Sequence, residues 1–135
     1  MIFLDSSFLI AFEVENDANH AKARGLMHDI AELAYGRAVI SDYIFDEVVT
    51  VTLTRTKSVS KARLVGDSML KSFRIYRVSD DVFEAAWNHF REQKNTKFSF
   101  TDSTTTELMR QNSIGSIATF DREFRESTEF SVLGP

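Results

Sequence analysis

Asp5, Glu47, Asp102 and Asp121 are the side chains of this sequence whose types and placement suit chemistry. Asp5 ends the apolar run Ile2-Phe3-Leu4, and Asp121 follows Ile117-Ala118-Thr119-Phe120. Glu47 sits beside apolar helix neighbours, and Asp102 lies at a helix start within the polar run from Ser99 to Thr106. Strand ends and helix starts on one edge of a parallel sheet bring distant residues together. Acids gathered in this way repel one another unless a cation neutralises them. The natural cation for an all-oxygen set is Mg²⁺ or Mn²⁺, and the natural chemistry is metal-assisted phosphodiester cleavage.

Each acid also has a purely structural role open to it. Asp5 can accept backbone N–H bonds as a cap, and Asp121 can cap the short helix containing Arg122-Glu123-Phe124. Asp102 can support its helix's first turn through the macrodipole. Taken singly, these roles are the commoner ones. Glu47 is harder to dismiss: three residues after Ile44 and four before Val51, it lies at the edge of an apolar stripe, where a charge needs a partner. Asp42 and Asp46 read as helix-start acids. Glu107, five residues beyond Asp102, turns away from that acid's face and is a reserve candidate only.

The elements that would position these residues alternate along the chain. A strand covers residues 1–5, and a short helix 8–15 follows with Ser6 or Ser7 as cap. Asn19 caps a longer helix to about residue 34, with Ala23, Leu26, Met27, Ile30, Leu33 and Ala34 at helical spacing. Ala38-Val39-Ile40 is a buried strand, and Ser41 or Asp42 opens a helix to residue 56. Many Val and Thr lower its intrinsic propensity, so it rests on the face traced by Ile44, Phe45, Val48, Val51 and Thr52. Ser58 or Ser60 starts the next helix, to residue 72, with Leu64, Val65, Met69 and Leu70 inward. Residues 73–78 form an imperfect strand, and Ser79 and Asp80 cap a helix carrying Val82, Phe83, Ala86, Trp87 and Phe90. A helix over 101–112, a strand over 115–120, a helical turn over 121–126 and a strand over 130–133 complete the chain. Strands separated by helices indicate a parallel sheet covered on both faces, with every strand's C-terminal end on one edge.

At 135 residues the chain fits a single domain spanning 1–135 with a real core. Its 43% hydrophobic and 27% charged residues are those of a soluble globular protein. The absence of cysteine excludes disulfides, zinc thiolate sites and thiol nucleophiles. His20, His28 and His89 form no ligand spacing and are assigned no chemistry, while Trp87 and the 12 phenylalanines read as core. No basic segment precedes the first strand, so no secretory signal is expected. No apolar stretch approaches the ~20 residues of a membrane span, and a cytoplasmic location is the expectation. The net charge of −4 conceals an asymmetry: residues 55–77 hold seven bases against one acid, Asp67, giving +6 and leaving −10 elsewhere. Arg55, Lys57, Lys61 and Arg63 are candidates for holding a phosphate backbone beside an acidic site; a solvated helix face is the alternative.

These residues carry a resemblance. Phe3-Leu4-Asp5-Ser6-Ser7, Ser41 followed by Glu47, Phe100-Thr101-Asp102, and Ala118-Thr119-Phe120-Asp121-Arg122-Glu123-Phe124 recur in order and spacing over nearly the whole chain. They resemble a PIN-domain ribonuclease of the small VapC-type kind found as toxins in toxin–antitoxin pairs. The last element is the most specific. One departure is Ser103-Thr104-Thr105-Thr106, where such a helix is usually richer in alanine. The resemblance implies a three-layer α/β/α fold with strand order 3-2-1-4-5 and a Mg²⁺- or Mn²⁺-dependent endoribonuclease working through a metal-activated water. Asp5 and Asp102 would be the main metal ligands, Glu47 would share or orient the metal, and Asp121 would support a second metal or act from outside. Ser6 and Thr119 would hold the ligands' rotamers. An antitoxin partner and a homodimer are implied too. Residues 8–15 and 21–34, with Phe12, Leu26, Met27 and Ile30, offer a groove for an amphipathic segment.

Three rivals stand against this reading. A phosphoacceptor receiver domain wants an adjacent acidic pair after its first strand, where Ser6 follows Asp5, and a lysine after its last. A haloacid dehalogenase-type phosphatase wants Asp-x-Asp, and Ser7 occupies the second position. A catalytically inactive RNA- or protein-binding module on the same fold is separated from the nuclease by Mn²⁺-dependent cleavage.

Overall fold

In the computed structural model, which describes residues 1–134, the chain runs β1 (Ile2–Leu4), α1 (Ser6–Glu13), α2 (His20–Ala31), β2 (Ala38–Ser41), α3 (Asp42–Thr56), α4 (Val59–Ser72), β3 (Arg74–Tyr76), α5 (Asp80–Arg91), α6 (Phe100–Gln111), β4 (Ser116–Ala118), α7 (Arg122–Arg125) and β5 (Ser131–Leu133). The five strands form one sheet in the order β3-β2-β1-β4-β5, as the resemblance implies, with every pairing parallel. Ile2 lies against Ala38 on one side and Ser116 on the other, so β1 is the central strand. Buried on both faces, β1 and β2 read as continuous apolar runs rather than alternating ones. The winding reverses at β1 and β4, and their C-terminal ends flank the crevice where open sheets place ligands.

Serine caps fix where the helices begin. The hydroxyls of Ser41, Ser58, Ser79 and Ser99 accept from the backbone N–H three residues on. Helix α3 forms despite its Val and Thr content because Ile44, Val48 and Thr52 are buried and α1 and α4 pack against it; tertiary burial outweighs propensity.

Several sequence expectations are corrected. Helix α1 begins at Ser6 with Asp5 at its N-cap, two residues before the expected start. Helix α2 ends at Ala31 rather than 34, because Leu33 takes a left-handed φ of 60° and Gly36 one of 81° to turn the chain into β2. A Cβ at Gly36 would stand 3.0 Å from the Met1 nitrogen. Strand β3 is limited to residues 74–76. Helix α4 buries Ala62, Val65, Gly66 and Met69, one stripe at i, i+3, i+4 and i+7, which turns Leu64 and Leu70 out to water. Phe83 and Trp87, expected in the core, are about half exposed, since α5 packs on α6 through Val82 and Ala86.

The polar run of α6 is fully interior: Ser103, Thr104, Thr105 and Thr106 are all buried. Thr104 and Thr106 donate to their own helix at Thr101 O (2.7 Å) and Asp102 O (3.0 Å). The Ser103 and Thr105 hydroxyls have no protein partner among the described residues.

Candidate active site

Asp5 ends β1, and its amide donates to Ala118 O of β4 at 3.0 Å, which locks the two central strand ends together. Its carboxylate is buried, and two hydroxyls donate to the same oxygen, Oδ2: Ser7 Oγ at 2.7 Å and Thr119 Oγ1 at 2.7 Å. Each hydroxyl has one proton, so the 3.1 Å approach of Ser7 to Thr119 is a contact of two donors aimed at one acceptor. Both also accept a backbone N–H from the β4–α7 connection: Phe120 N to Ser7 at 3.0 Å and Asp121 N to Thr119 at 3.0 Å. One knot therefore fixes the Asp5 rotamer and the approach of Asp121.

Asp102 is buried in the first turn of α6 and belongs to a capping box: Ser99 N donates to Oδ2 at 2.9 Å while Ser99 Oγ accepts from Asp102 N at 3.1 Å. That bond occupies Oδ2 and leaves Oδ1 for another ligand. Asp121 is the N-cap of α7, accepting from Glu123 N at 2.9 Å. Glu47, half-buried in the second turn of α3, faces Ser6. The structural roles open to Asp102 and Asp121 are thus realised, and they coexist with a shared electrostatic site.

Asp5, Glu47 and Asp102 are each raised. Burial pushes the Asp5 carboxyl above its ordinary range; the Ser7 and Thr119 hydroxyls pull it back, and Asp121 pushes it further up. Burial, then Asp5, Asp46 and Asp121, raise Glu47, with Ser6 opposing. Asp102 is pushed up to about 7, by burial first and then by Asp5 and Asp121, against the Ser99 bonds. No lysine, arginine or histidine stands among the leading causes of these shifts. An oxygen-only donor set that nothing on the chain neutralises fits a hard divalent cation. In the positions they occupy, no three acidic or histidine side chains among the described residues stand close enough to hold one ion together.

Tyr43, Asp46, Glu47, Thr50, Val51, Ser99 and Thr101 line a groove of about 330 Å³ where α3 meets α6. A larger cavity, about 710 Å³, lies between α1, α2 and α4 and contains none of the four acids. Of the basic candidates, Arg55 pairs with Asp17 at 2.9 Å and Lys61 with Glu13 at 3.8 Å, while Lys57 and Arg63 are exposed. Arg55 stands eight residues beyond Glu47 on α3, about 12 Å along the axis. Sequence reasoning placed Ser7 only as a possible cap and Ser99 only as the start of a polar run. The signal for Ser7 was its position two residues after a strand-end acid; for Ser99, the Ser-x-x-Asp spacing of a capping box.

Known proteins share this fold. The 23S rRNA-specific endonuclease VapC20 of Mycobacterium tuberculosis is 26% identical over 124 residues, 92% of each chain. Its crystal structure, described as that of a sarcin-ricin loop cleaving toxin, superposes with a TM-score of 0.85 at 25% identity, covering 100% of both chains. A toxin-antitoxin complex from Klebsiella pneumoniae shares the fold, with a TM-score of 0.68 at 17% identity over 98% of this chain and 96% of that one. The PIN domain family model matches residues 2–129, within which all four acids and their supporting hydroxyls fall, and the chain belongs to the PIN domain family.

Proposed function

We propose that this chain is a divalent-metal-dependent endoribonuclease and the toxin of a toxin–antitoxin pair, with residues 1–135 acting as one nuclease domain in the cytoplasm. The observation that supports the proposal is the influence of Asp5, at the end of β1, on both Glu47 and Asp102, with all three carboxyls raised by burial and by other acids. The relationship to a named endonuclease supports the same reading. Asp5 and Asp102 would hold Mg²⁺ or Mn²⁺, Glu47 would share or orient it, and Asp121 would support the site from its cap position. When bound, such an ion lowers the pKa of water and offsets charge on the scissile phosphate.

The chain's own residues organise the rest. Ser7 and Thr119 hold Asp5 in one rotamer, and Ser99 holds Asp102 through Oδ2. Ser6 opposes the rise of Glu47 and keeps more of it ionised. The groove of about 330 Å³ beside Glu47 is where a phosphodiester strand would lie. Lys57 and Arg63 are free to meet its backbone; Arg55 and Lys61 join them by exchanging exposed ion pairs worth under about 1 kcal/mol each.

An antitoxin is the proposed partner. Leu9, Phe12, Met27, Ile30, Met69 and Phe73 line the 710 Å³ cavity, and Arg37, Lys71 and Arg74 stand at its rim. An amphipathic segment with acidic flanks suits that lining. A homodimer is part of the proposal and is tested by sedimentation equilibrium. Among the described residues no helix is long and apolar enough to cross a membrane.

The deciding experiment is cleavage of single-stranded RNA and of ribosomal RNA by the purified protein with Mn²⁺, with EDTA, and with Asp5→Asn. Cleavage that needs the metal and is lost in the variant supports the proposal. RNA binding without cleavage at any Mn²⁺ concentration replaces it with a binding module.

A further inference from the structure

Asp102 and Asp121 open two different helices, α6 and α7, and a chain of contacts through residues 92–99, the connection from α5 to α6, joins them. Glu123 begins that chain. Its backbone N–H donates to Asp121 Oδ1 at 2.9 Å, and its own Oε2 accepts from Lys97 N at 2.9 Å. Two residues past Lys97, Ser99 N donates to Asp102 Oδ2 at 2.9 Å. Alongside, the rings of Phe98 and Phe124 meet with centroids 4.9 Å apart, and Phe124 is fully buried. The connection is braced from within by Gln93. Its carboxamide donates to Phe90 O at 3.1 Å and Phe98 O at 3.0 Å, and accepts from Phe98 N at 2.7 Å and Thr96 Oγ1 at 2.9 Å. Both N–H groups and both lone pairs of that carboxamide are thereby used.

We propose that Glu123 is a positioning residue: by tying Lys97 to α7 it sets the placement of Asp102 relative to Asp121, and with it the fit of the site to a divalent ion. The inference rests on the nuclease reading and adds to it the strut that holds two of its acids in register. Magnesium demands near-ideal octahedral geometry, and a functional constellation tolerates displacements of only about 0.5 Å. Asp121 is among the charges that raise Asp102, so the two acids need a support that resists their separation. A carboxylate bonded to a backbone N–H is a strong, charge-assisted tie. Helix stabilisation by itself leaves the Glu123 side chain without a task, because α7 has four residues and Asp121 already caps it. The Gln93 brace matters for the same reason: a slack connection would not pass the position of Lys97 on to Ser99.

Calorimetric titration of Mn²⁺ into the metal-free protein tests the strut. Glu123→Ala weakens binding roughly 10- to 100-fold. Glu123→Gln, whose amide oxygen still accepts from Lys97 N, binds as the parent does. Gln93→Ala also weakens binding, and adding it to Glu123→Ala costs little more than the larger single effect, since both act through one connection. Amide hydrogen exchange followed by NMR in EDTA gives a readout without metal: the Lys97 amide is protected in the parent and in Glu123→Gln and exchanges fast in Glu123→Ala. Circular dichroism melts establish that each variant is folded. Parent-like Mn²⁺ affinity in Glu123→Ala overturns the proposal, whether or not its Tm falls. So does a Glu123→Gln variant as weak as Glu123→Ala, because Glu123 would then act through its charge and not through the bond to Lys97. A parent that neither binds Mn²⁺ nor cleaves RNA sinks the nuclease reading and the strut with it, whereas a parent that does both beside an unaffected Glu123→Ala sinks the strut alone.

Discussion

Replacing Asp102 by Asn should make the metal-free protein more stable and the enzyme inactive. The Asp102 carboxyl rises from 3.8 to about 7 on folding. Because the folded state holds this proton more tightly than the unfolded chain, its ionisation costs stability progressively from about pH 4 to pH 7 and by a constant amount above. At about 1.36 kcal/mol per pKa unit, the full cost at pH 8 approaches 4 kcal/mol. Asn matches the protonated acid in shape and charge and can still accept from Ser99 N. Part of the rise comes from Asp5, and that part falls away wherever Asp5 is itself protonated. About half the ceiling, roughly 2 kcal/mol, is therefore the expected gain, or about 6–8 °C in Tm for a chain of this size. Thermal melts in EDTA at pH 8 and pH 4 measure it: the advantage is present at pH 8 and fades toward pH 4. Added Mn²⁺ raises the Tm of the parent and leaves the variant nearly unmoved, and cleavage falls by at least about 100-fold. A variant less stable than the parent at pH 8 in EDTA would show that Asp102 is held chiefly as a helix cap, and the electrostatic reasoning would be wrong.

Other expectations follow from the same geometry. Thr119→Val removes a donor from Asp5 Oδ2 and orphans the Asp121 amide; urea melts should register about 1–3 kcal/mol of destabilisation, and calorimetry a roughly 10- to 100-fold loss of Mn²⁺ affinity. Since Asp5, Glu47 and Asp102 are all raised, Mn²⁺ binding should release protons and tighten as pH rises; titrations in buffers of different ionisation enthalpy detect the release, and a pH-independent affinity would contradict it. Gly36→Ala should cost about 1–2 kcal/mol in urea melts, because φ is +81° and the new Cβ meets the Met1 nitrogen at 3.0 Å.

Much of this protein was written in local sequence. The apolar runs at β1 and β2, the serines before α3, α4 and α5, and the helical stripe over Ile44, Val48 and Thr52 each specify an element through contacts within a few residues. The order of those elements, with the motifs around Asp5, Glu47, Asp102 and Asp121, was enough to name the family and its sheet order. What a helix buries was less legible, because periodicity defines a face without saying which neighbour covers it. Leu64, Leu70, Phe83 and Trp87 occupy apolar positions that packing leaves in water, whereas Ser103 to Thr106 read as polar and are interior. The knot of Ser7, Thr119 and Asp5 joins residues 112 and 114 positions apart, and no spacing rule spans that distance. Only the parallel register of β1 on β4 brings those atoms within hydrogen-bonding reach. Sequence alone supplied the acids. The tertiary structure raised Asp5, Glu47 and Asp102 above their ordinary range, because burial and neighbouring acids act on them only once the chain has closed around them.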